Sequence, residues 1–150
     1  MSAGLRWMQK AAIIAALLLV VGTVCVVLVL QLRPKPFVLP FTAADVASME
    51  ARRVYLGDDD VPKTFQVPPS SRNAILAALS PAHEDRDLSK WVVHGELHVK
   101  KKDGRPYFIM FSADDEFAAG PTHGERVHYR GADGLAQVVL DACGASQPKK

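Results

Sequence analysis

Cysteine is scarce in this 150-residue chain: Cys25 lies inside a long apolar run and Cys143 near the far end. Two thiols so placed make no disulfide framework, and a bridge-free domain suits either redox compartment. Acidic residues are missing from the first 33 positions, which hold Arg6, Lys10 and Arg33. Of the 18 basic residues, the other 15 face all 16 acidic ones in residues 34–150, so that part is close to neutral. A near-neutral domain lacks the concentrated basic face that duplex nucleic acid needs, and no nucleic-acid partner is expected. The only basic run, Lys100-Lys101-Lys102, is followed at once by Asp103.

Complete catalytic signatures are also missing. Ser70, Ser71 and Ser80 sit in no G-x-S-x-G elbow, and no Gly-rich phosphate loop occurs. Asp58-Asp59-Asp60 and Asp114-Asp115-Glu116 lack the alternating pattern and the later glutamate of a calcium loop. His94-Gly95-Glu96 matches half of the zinc deaminase signature, but the P-C-x-x-C half is not in the chain. The length leaves room for one modest domain with an appendage.

What the sequence does have is a greasy segment. Ala11 to Leu30, AAIIAALLLVVGTVCVVLVL, carries no charge. With Gln31 and Leu32 added, a helix rising ~1.5 Å per residue covers about 33 Å, against a hydrocarbon core of ~30 Å. Apolar residues occupy every face, unlike the stripe of a soluble amphipathic helix. Lys10 and Arg33 mark the ends, where basic side chains reach the headgroups. A secretory signal would have a shorter apolar stretch of about 7–15 residues and a small-x-small cleavage site, and Gln31-Leu32-Arg33-Pro34 offers none. The expectation is a basic tail over 1–10, an uncleaved transmembrane helix over 11–32, and a single-pass topology. Arg6, Lys10 and the terminal amine favour the N-terminus inside and the domain outside. The pairs Ala11/Ala15 and Ala12/Ala16 have small-xxx-small spacing, but a lone span facing lipid is the simpler reading.

Pro34, Pro36 and Pro40 make residues 33–41 an extended stalk, in which Phe37, Val38 and Leu39 either dock on the domain or lie at the interface. Residues 42–145 then form one α+β domain, with a flexible tail at 146–150. Val46 to Tyr55 fits strand and helix templates, with strand preferred before the acidic turn. Lys63 to Val67 reads as a second strand ended by Pro68-Pro69. Ser70-Ser71 is the expected cap for a helix from Arg72 to Leu79. From Trp91 to Val99 the alternation is clear: Val93, Leu97 and Val99 share one face, and His94, Glu96 and His98 the other. Lys102-Asp103-Gly104 turns the chain into a return strand, Pro106 to Ala113. Glu125 to Arg130 alternates again, and Asp133 opens a helix with Leu135, Val138, Val139 and Ala142 at helical spacing. The resulting order is ββαβββα, an antiparallel sheet packed with two helices.

Leu79-x-Pro81-Ala82, Trp91-x-x-x-Gly95-x-Leu97-x-Val99 and Tyr129-Arg130-Gly131 together resemble small uncharacterised bacterial proteins with one N-terminal span and a domain of this size. The resemblance covers residues 70–143 and rests on structural motifs. It implies the architecture and no activity.

The candidate chemistry lies on the polar strand faces. Along a strand, positions i and i+4 are about 13 Å apart, so His94 and His98 do not share one ion. His94 and Glu96 would, if His128 came across from a neighbouring strand. The plainer reading is a solvated polar face, with no metal or cofactor. Arg126, His128 and Arg130 form a cationic strip, with Arg52-Arg53 near it, suited to an anionic partner, a phosphate or lipid headgroups. Its plainer reading is a solvent face paired with carboxylates such as Glu96 or Glu125. The sequence therefore points to a membrane-anchored, non-enzymatic binding or assembly module, whose partners are the bilayer and another membrane or envelope protein. Two alternatives stand beside it. One is a small metal-dependent or hydrolytic enzyme using His94, Glu96 and His128; the other is a secreted domain released by signal cleavage.

Overall fold

A computed structural model describes residues 3–54, 63–85 and 91–145, and the chain divides into two compact units, Met1–Arg33 and Pro34–Lys150. The first unit is helix α1, Ala3–Leu32, so the basic tail continues the same helix rather than preceding it. Within it Ala12–Leu32 has a mean hydropathy of 3.2 with none of its surface buried, which makes it long and apolar enough to cross a membrane. Its single hydroxyl, Thr23 Oγ1, donates to the Leu19 carbonyl one turn back at 2.8 Å, so that hydroxyl proton is satisfied within the helix.

The second unit is α+β. Its strands are β1 (Val46–Val54), β2 (Lys63–Gln66), β3 (His83–Glu84), β4 (Gly95–Lys101), β5 (Pro106–Phe111), β6 (Glu116–Gly120) and β7 (Val127–Arg130). They form one antiparallel sheet in the order β2-β1-β4-β5-β6-β7-β3. Helices α2 (Pro69–Leu79) and α3 (Leu135–Ala145) pack on each other, and the core lies on the apolar face of the sheet. Met49, Ala51, Leu97, Val99, Ile109, Phe111 and Phe117 come from the strands, while Ile75, Leu79, Leu135 and Val139 come from the helices.

The α+β class and the β4–β5 hairpin agree with the sequence reading, but two strands are additional. Strand β6 occupies the segment read as an acidic turn followed by a Gly-Pro break. Five residues, of which only Phe117, Ala118 and Ala119 are apolar between the ends, give too short a signal for alternation to be counted. Strand β3 has two residues and exists through its partners, β7 on one side and Pro36 on the other. Helix α2 begins three residues earlier than expected. Pro69 takes the first helical position, where a missing N–H costs nothing, and Pro68 rather than Ser70 or Ser71 is the cap residue.

The proline-rich segment belongs to the domain. Phe37 N–H donates to Ala82 O at 2.8 Å, and Glu84 N–H donates to Lys35 O at 2.7 Å. Phe37 and Phe41 are both buried in the core. The stalk reading thus reduces to Arg33 and Pro34, because the aromatic side chains gain more by burial than an extended spacer gains in solvent.

Candidate functional site

The face of the sheet opposite the helices is polar, and strand register sets its rows. Arg52, Glu96, Met110, Ala118 and His128 pair in turn across β1, β4, β5, β6 and β7, with Glu50, His98, Phe108 and Gly120 in the next row. Adjacent strands lie ~4.8 Å apart, so His128 is about 14 Å from Glu96 in the plane of the sheet. The three-residue set His94, Glu96 and His128 does not converge. His94 stands before β4, tied by its N–H to Phe111 O at 2.8 Å, and its buried Nδ1 has no partner among the described residues. His128 Nδ1 accepts from Trp91 Nε1 at 3.1 Å, which places the ring proton of a neutral imidazole on Nε2.

Glu96 meets two other histidines. Its Oε2 is 3.0 Å from His98 Nε2, two residues along the same strand. His123, in the loop between β6 and β7, completes a group whose ligand atoms all lie within 4.8 Å of one another. The His123 ring lies over Phe108 with centroids 4.2 Å apart, and His98 meets the same phenyl ring edge-on at 4.9 Å. The loop is drawn close by Gly120: a Cβ there would stand 2.0 Å from the Glu125 carbonyl oxygen, so only glycine permits this closure. At the loop's end Thr122 Oγ1 accepts from Glu125 N–H at 3.1 Å.

Glu96, His98 and His123 line a cavity of about 540 Å³ together with Arg52, Arg53, Met110 and Arg126. A bulge between Ala51 and Val54 turns Arg53 into the left-handed region at φ 52°, and its Nη1 comes 3.6 Å from Glu96 Oε1. Glu96 therefore holds Arg53 with one oxygen and His98 with the other. Arg52 is engaged by Glu50 on its own strand. Arg126 Nη1 is buried with no hydrogen-bond partner among the described residues.

The cationic strip read from the sequence is divided in space. Arg126 joins Arg52 and Arg53 at the cavity, His128 is held by Trp91, and Arg130 pairs with Asp85 at 3.1 Å and Glu116 at 2.8 Å. Sequence reasoning passed over His98 and His123 as partners of Glu96. The available signals were the i, i+2 spacing of Glu96 and His98 and the second His-Gly-Glu tripeptide at 123–125. The acidic turn is braced by hydrogen bonds: Ser112 Oγ accepts from the backbone N–H groups of Asp114 and Glu116, and Asp115 O accepts from those of Gly131 and Ala132. Asp58-Asp59-Asp60 lies outside the described residues.

Compared with known proteins, the chain matches no protein family, no curated protein and no solved structure. The functional reading rests on the site itself.

Proposed function

We propose that the protein is a single-pass, membrane-anchored binding module, without catalysis of its own, that captures an anionic group in the Arg52/Arg53/Arg126 cavity. The N-terminus lies inside and the domain outside. The observation that carries the reading is Arg126 Nη1, buried at the wall of an open cavity with no acceptor among the described residues to satisfy it. An unpaired buried guanidinium nitrogen is costly, and a carboxylate or phosphate oxygen would remove the cost with a charge-assisted hydrogen bond. Arg52 and Arg53 add positive potential, offset in part by Glu50 and Glu96.

Anchoring is supported by the apolar length of Ala12–Leu32 and by its uncharged surface.

The test is titration of the metal-free, full-length chain in detergent micelles with inorganic phosphate, followed by calorimetry. Saturable binding is expected in the wild type, with at least a tenfold loss in Arg126→Ala. Phosphate binding that is absent, or unchanged by Arg126→Ala, would refute the anion reading. Release from membranes by alkaline carbonate would refute the anchor.

A further inference from the structure

We propose that Glu96, His98 and His123 form a zinc site in the same cavity, with the fourth coordination position open. The three ligands are not the arginines of the anion reading, although Arg53 borders both, so either can fail alone.

The strand supplies the first two ligands. Residues two apart on β4 share a face with Cα atoms ~6.6 Å apart, a span that two side chains close over a single ion. The Glu96 Oε2 to His98 Nε2 separation of 3.0 Å is close to the edge of a zinc tetrahedron, about 3.3 Å for bonds of ~2.0–2.1 Å. In this hydrogen bond an imidazole proton occupies the position that the metal would take. His123 is the third ligand, carried on an exposed loop with all ligand atoms within 4.8 Å. Closing that distance to tetrahedral contact requires only a small movement of an exposed side chain.

Two further features suit a metal. A ligating carboxylate is oriented by whatever holds its other oxygen, and Arg53 lies 3.6 Å from Glu96 Oε1, the oxygen that His98 leaves unused. Phe108 packs against both histidine rings and limits their rotation. Two imidazoles and one carboxylate are the borderline donor set that zinc favours in sites with an exchangeable fourth ligand. Arg53 and Arg126 repel a bare dication, which makes an anion at the fourth position favourable. A phosphate or carboxylate bound there would lie between the ion and the guanidinium groups.

The experiment uses the full-length chain in detergent micelles, without a histidine tag and stripped by chelator, then titrated with Zn²⁺ in competition with a chromophoric chelator. One Zn²⁺ per chain is expected. His98→Ala, His123→Gln and Glu96→Gln should each weaken binding at least tenfold, while His94→Ala and His128→Ala stay within twofold. His123→Gln carries the test if a β4 variant fails to fold, because its side chain is exposed. Co²⁺ should give the intense visible absorption of a four-coordinate site, lost in His123→Gln. No stoichiometric zinc, or zinc held equally well by the folded His123→Gln chain, would overturn the proposal. Zinc binding without any phosphate binding would leave the site standing and remove only the anion reading.

Discussion

Phe37 meets Phe117 edge to face, with ring centroids 5.0 Å apart and planes at 84°. Tyr129 approaches the same phenylalanine at 4.7 Å, so the ring closes an aromatic cluster between the incoming chain and strands β6 and β7. Removing it leaves a cavity where segment and sheet join. Phe37→Ala should cost about 3–5 kcal/mol. The thermal midpoint of the detergent-solubilised chain would then drop by about 10 °C or more. Val38→Ala, at a residue 77% exposed, should stay within about 0.5 kcal/mol.

Gly120→Ala is expected to damage both fold and site. The added methyl has no room against the Glu125 carbonyl, a backbone atom that moves only with the whole β6–β7 loop. Overpacking of this kind costs typically about 1–3 kcal/mol. Because the same loop carries His123, zinc affinity should fall along with the midpoint. Gly124→Ala, where a Cβ meets nothing, should change neither.

Arg53→Gly separates stability from binding. Arg53 adopts φ 52°, a conformation that costs a residue with a side chain about 1–2 kcal/mol and glycine little. The variant should unfold at the same temperature or a few degrees higher. It should also bind zinc more weakly, because Glu96 loses the partner of its Oε1. A stabilised chain with undiminished zinc affinity would show that Arg53 does not position Glu96.

Alkaline pH should unfold the domain earlier than neutral pH. Burial pushes the Cys143 thiol up to about 11, and burial, with a smaller contribution from Tyr129, pushes the Tyr107 hydroxyl up to about 12. The folded chain thus keeps protons that the unfolded chain releases near 9 and 10. The stabilisation is complete below about pH 9 and is lost as pH climbs toward 11–12. A thermal midpoint level from pH 7 to 8.5 and falling above 9 is expected, with the onset moved upward in Cys143→Ala.

The fold was legible where many residues repeated one pattern. The uniform apolarity of Ala12–Leu32, the alternation around Leu97 and Val99, and the helical spacing of Leu135, Val139 and Ala142 each summed over several positions. Short elements were not: β6 is five residues long between its chain neighbours β5 and β7, and β3 owes its pairing to β7 and Pro36, both distant in sequence. That omission reached the site. Without β6, strand β7 would lie beside β5 and His128 would stand closer to Glu96. With β6 in place, His128 is carried away and the β6–β7 loop brings His123 instead. The arginines were legible as residues but not as a cavity, because the bulge that aims Arg53 leaves no mark in the alternation.

The bridge between Pro36 and His83 bears on self-association. Exposed sheet borders tend to stitch neighbouring copies of a chain together. At the β3 end, Lys35 to Phe37 already occupy the border, and proline brings no N–H for a newcomer to use. Lateral growth of the sheet is left to the opposite border, the four residues of β2, which begins with a lysine.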